Sequence, residues 1–186
     1  MLRDKPQNRI KLSLIDMKLA QIESQLNELN EVLVITDELA KDFNELSHEL
    51  QKISNWNQAV FNYSGKGHYS SFKKKKYVEK NLRLIPRIYV SNEKLIRELQ
   101  DLKKKYEIDF STNLTLLNNF FELFLDNLIT DWIVRNGLIS SIRILELSQS
   151  KLNSLQMMLQ HEMITLKKKR EEFKMERKKI VLSSHP

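Results

Sequence analysis

From Leu138 onward an apolar residue returns at every seventh position: Leu138, Leu145, Leu152, Leu159, Leu166, Phe173 and Ile180. Seven is odd, so in a strand these residues would alternate between faces. In an α-helix seven residues make nearly two turns, and all seven side chains share one stripe. Only 41% of the chain is apolar, so an unbroken series of this kind commits the region to helix and gives it a packing seam. The companion seam position is apolar only in part, with Leu155 but also Ser148 and Glu162. The seam is therefore narrow, and pairing through it should be shallow.

The first third of the chain carries the same signal. Ile15, Leu19, Ile22, Leu26, Leu29 and Leu33 step by fours and threes, and Leu39, Phe43, Leu46, Leu50 and Ile53 resume the pattern. Between the two sets, at Thr36, two steps of three follow each other, a local phase shift of the stammer kind. One helix over about 9–62 is predicted. Breakers are scarce: Gly and Pro number three each, far below ordinary usage, and the chain can make only a few turns. Glycines 65 and 67, with Ser64, Ser70 and Ser71, place the clearest loop at Tyr63–Ser71. A second helix is expected over about 76–106, kinked or interrupted at Pro86, with Ser91 as a restart cap. A third, over about 111–135, is apolar nearly all round (Leu114, Leu117, Phe120, Phe121, Phe124, Leu125, Leu128, Trp132) and should be the most buried. A fourth covers about 138–181. Asn136-Gly137 reads as the turn between these last two; the rival is one continuous helix from about 111 to 181.

The fold class expected is all-α: a single elongated antiparallel helical bundle or coiled coil over 1–186, with three to four helices, two of them long. Run antiparallel, the basic stretch 167–179 would lie near Glu23, Glu28 and Glu31. No membrane span is expected, because the most apolar window, 114–134, carries Glu122, Asp126 and Asp131. The first residues do not read as a secretory signal. The absence of cysteine excludes disulfides and thiol chemistry and fits a cytoplasmic protein.

Catalytic and metal patterns are incomplete. His161-Glu162-Met163-Ile164-Thr165 has Thr where a zinc-protease helix needs its second His, and Glu45 with His48 is a lone Glu-x-x-His without the second copy a di-metal bundle needs. Gly65-Lys66-Gly67 lacks the spacing of a phosphate-binding loop. No catalytic residue, cofactor, metal or small-molecule substrate is expected.

Charge is more informative than motifs. The net charge of +7 is segregated: residues 64–106 hold thirteen Lys and Arg against four Asp and Glu, and residues 167–186 hold eight against three, while the other two blocks, 1–63 and 107–166, are acidic. Two basic zones, 66–87 and 167–179, result. The first interleaves aromatics with a lysine run (His68, Tyr69, Phe72, Tyr77 around Lys73 to Lys76), a mixture suited to phosphate backbones and stacked bases. Candidate polyanion-binding residues are Lys66, Lys73, Lys74, Lys75, Lys76, Lys80, Lys167, Lys168, Lys169 and Arg170. The primary expectation is a non-catalytic adaptor or structural protein that acts through coiled-coil contacts with itself or a protein partner. A nucleic-acid-binding helical protein is the alternative. A membrane-surface or secretion-associated partner protein, drawn to anionic lipid by its lysines, is a further one.

Overall fold

In the computed structural model the described residues are 6–63, 68–106 and 135–184, and all of them are helical. Three helices pack against one another: α1 (Pro6–Tyr63), α2 (His68–Tyr106) and α3 (Arg135–Ser184). Among the described residues there is no strand, and no helix is long and apolar enough to cross a membrane. The residues divide into two compact units. The first comprises Met1–Leu33 with Met157–Pro186, the second Val34–Gln156.

The first unit is a helix pair. Pro6 opens α1, where its fixed φ suits a helix and its missing N–H costs nothing. Ile15, Ile22, Leu26, Leu29 and Val32 of α1 are buried, as are Leu159 and Leu166 of α3. Phe173 and Ile180 are half-buried. The Arg177 guanidinium donates to Asp16 at 2.8 Å and that of Arg170 to Glu23 at 3.2 Å. Seven residues forward on α1 thus correspond to seven back on α3, which makes the pair antiparallel.

The second unit adds α2. Here α1 presents two adjacent rows to its neighbours. Ile35, Asp42 and Glu49 form one; Thr36, Phe43 and Leu50 form the other, with Leu39 and Leu46 between them, and all eight are buried. Asp42 accepts from Arg87 of α2, so the first row is turned toward α2. Beyond the second row, Asn44 and Asp37 accept from Gln149 and Gln156 of α3, again with seven residues forward matched by seven back. From α2 come Leu84, Ile88, Asn92, Leu95, Leu99 and Leu102; from α3 come Leu145, Ser148, Leu152 and Leu155. Replacing Leu152 with alanine should cost about 2–4 kcal/mol of unfolding free energy, as buried leucine truncations do. A loss under ~0.5 kcal/mol in a urea titration would place the residue outside the core.

Several local expectations change. The helix containing the lysine run starts at His68, so His68–Ser71 are helical rather than loop. After Gly67 no residue forbids helix, and serine and tyrosine carry only small propensity costs. Pro86 lies inside α2, which continues on both sides of it, and Ser91 is an interior residue rather than a restart cap. Pro86 is exposed, so its ring can face solvent while Leu84 and Ile88 are buried beside it and hold the helix together. The carbonyl four residues earlier still loses its donor. Pro86→Ala should therefore raise stability by about 1–3 kcal/mol; a lower melting temperature would show that the proline ring contributes to the packing. The phase shift on α1 falls earlier than Thr36, because Val32 is 1% exposed while Leu33 is half-buried. The short steps are thus Leu26–Leu29–Val32. Asn136 and Gly137 lie in the first turn of α3. The helix expected at about 111–135, with Phe121 and Trp132, falls outside the described residues but for Arg135, which opens α3.

Candidate functional site

The second basic zone divides into inward and outward groups. Its two arginines are used within the first unit: Arg170 meets Glu23 and also Glu171 at 3.3 Å, and Arg177 meets Asp16. Lys174 bonds Glu171 at 3.1 Å. That hydrogen bond is the main reason the Glu171 carboxyl titrates below its ordinary range, with Arg170 adding to it. A depressed carboxylate contributes stability above its unfolded pKa and loses it as pH falls through the folded value. Glu171 is exposed, so water and salt screen the effect. The Lys18 ammonium lies 5.0 Å from the centre of the Phe173 ring, over the sixth residue of the seam. Lys167, Lys168, Lys169, Lys178 and Lys179 are exposed. Glu23 was placed near this stretch from the sequence; Asp16 was not, since it falls beyond the acidic group that stood out.

Of the first basic zone, Lys73, Lys74, Lys75, Lys76 and Lys80 fall on the first half of α2, and their side chains lie outside the described set, as does Lys66 altogether. The zone's last member, Arg87, is engaged. Its Nε donates to Asp42 Oδ2 at 2.8 Å, its Nη2 bonds Oδ1 of the same carboxylate, and Glu45 lies 3.7 Å away. The hydrogen bonds to Asp42 raise the guanidinium pKa further above its ordinary value. A cleft of about 450 Å³ surrounds this pair, lined by Glu38, Lys41, Asp42, Glu45, Arg87 and Ser91. Both Asp42 oxygens accept from Arg87, and among the described residues the one hydroxyl lining the cleft is that of Ser91, with no histidine beside it. The arrangement is that of a half-buried ion pair between α1 and α2. Among the described residues no three His, Cys, Asp or Glu side chains are grouped to hold a metal ion.

Along the predicted packing seam, Leu145, Leu152, Leu159 and Leu166 are buried, Phe173 and Ile180 are half-buried, and the Leu138 side chain lies outside the described set. Large apolar side chains are also exposed, and within the first unit they are concentrated away from the seam: Ile10, Leu14 and Met17 on α1, and Met157, Ile164, Met175 and Leu182 on α3. Sequence reading missed this feature. Testing α3 for a second apolar stripe half a turn from the first would have found the α3 members.

Fold and side-chain geometry together define an all-α helical bundle with partly uncovered helix faces. No protein-family model matches the chain, and no curated protein or solved structure matches it significantly.

Proposed function

We propose that this chain is a non-catalytic adaptor or structural protein that works by helix–helix contacts with itself or with a protein partner. The observation that carries this reading is the uncovered apolar side chains on α1 and α3 of the first unit, both of which already use another face to pack on each other. Isolated apolar residues on a surface are ordinary, whereas a series at helical spacing is a contact face. A cytoplasmic setting belongs to the same reading and rests on the cysteine-free composition.

The six exposed lysines of 167–179 favour a second reading, in which the basic zones bind nucleic acid or an anionic membrane. Light scattering separates the two. The primary reading expects the mass at ~50 mM salt to be unchanged by short DNA duplexes or anionic vesicles. A mass gain with either, lost steeply as salt rises through ~200 mM, would favour the polyanion reading instead.

A further inference from the structure

We infer that the outer face of α3 in the first unit is a docking site for the same face of a second copy of this chain, with the two α3 helices antiparallel about a two-fold axis near residues 169–170. This rests on the helix-contact reading above and names its partner and face.

The inner seam of α3 runs through Leu159, Leu166, Phe173 and Ile180. Half a turn away, residues 157, 161, 164, 168, 171, 175, 178 and 182 step by fours and threes, the spacing of a second coiled-coil seam. All eight are exposed. Four of them are large and apolar: Met157 at 71%, Ile164 at 53%, Met175 at 58% and Leu182 at 62%. The order along this face is Met, His, Ile, Lys, Glu, Met, Lys, Leu.

That order is suited to pairing with its own reverse. In an antiparallel contact centred between Lys168 and Glu171, Met157 falls opposite Leu182 of the second copy and Ile164 opposite Met175. Lys168 falls opposite Glu171 in the seam, while on the flanks, where like heptad positions meet in an antiparallel pair, Lys167 falls opposite Lys174 and Glu172 opposite Thr165. Two-fold symmetry repeats every pairing, giving four apolar layers and two facing pairs of opposite charge within the seam. His161 falls opposite Lys178 and adds no attraction. A parallel contact in the same register would set Lys168 against Lys168 and Glu171 against Glu171, so the charges select the antiparallel arrangement. Self-complementarity of this kind is what an isologous two-fold interface requires. The face extends about 38 Å along the helix, and a helix contact of that length buries on the order of 700 Å² per partner, close to the ~800 Å² of a standard interface.

The test uses the full chain and its charge-swapped forms in sedimentation equilibrium. Wild type should sediment at twice the 22.2 kDa chain mass at ~50 µM, a concentration at which even a micromolar dimer is mostly formed. Ile164→Glu with Met175→Glu should weaken the dimer at least ~100-fold while helix content stays unchanged, since both side chains are already exposed. Lys168→Glu alone, or Glu171→Lys alone, sets like charges in two symmetry-related layers and should weaken the dimer about tenfold. The two together in one chain should restore it to within a few-fold of wild type. A wild-type monomer at ~50 µM overturns the inference. So does a dimer indifferent to Ile164→Glu with Met175→Glu; in that case copies meet through another face and the helix-contact reading survives. The loss of that reading shows separately, as mass gained on DNA or vesicles.

Discussion

Truncation of Phe43 to alanine is expected to lower the unfolding free energy by about 3–5 kcal/mol. Among the described residues Phe43 is the largest of the wholly buried side chains, and it sits on the α1 row between Thr36 and Leu50. Its ring lies in the core of the three-helix unit, so its loss leaves a cavity that rigid neighbouring helices cannot close. A domain is stable by only about 5–15 kcal/mol in total, and the variant should unfold at markedly lower denaturant with little change in slope. A loss under ~1 kcal/mol would mean that the row on which Phe43 sits does not face the other helices.

The second large effect concerns the ion pair between α1 and α2. Replacing Arg87 with methionine should cost about 2–3 kcal/mol, because the Asp42 carboxylate stays buried and loses both of its donated hydrogen bonds. The figure is held below that of a fully buried pair because the Arg87 side chain is 56% exposed and water can reach the site. Adding Asp42→Leu to Arg87→Met should recover most of the loss, since the unpaired charge is then gone. Equal stability of the single and double variants, both well below wild type, would show that the interhelical bond itself, rather than the stranded carboxylate, accounts for the cost.

Helix content and the antiparallel sense of α1 and α3 were legible because both depend on strong, repeated signals. Six breakers allow few turns, and a seven-residue return has only one regular explanation. Glu23 beside the basic segment followed from charge and direction alone. The helix is not interrupted at Pro86 because the proline's cost of about 3 kcal/mol is local, whereas packing of Leu84, Ile88, Leu95 and Leu99 acts on the whole helix. The phase shift was misplaced because Val32 and Leu33 are both apolar, and only contacts decide which turns inward. Asp42 and Asn92 were not read as buried, since a helix packed on two neighbours hides flanking positions that a single seam would leave wet. The outer stripe of α3 was overlooked because four of its eight positions are polar; it stands out only once the opposite face is known to be covered.

Which face of α3 remains free depends on its register against α1, and the natural absence of cysteine makes that register directly measurable. Cysteines introduced as Glu23→Cys and Arg170→Cys should be joined within one chain by a short bismaleimide, giving a compact monomer band on a denaturing gel. Glu23→Cys with Arg177→Cys, displaced by one heptad, should react far less under the same conditions. Efficient linkage of the displaced pair and failure of the first would contradict the antiparallel register, and with it the assignment of the covered and uncovered faces of α3.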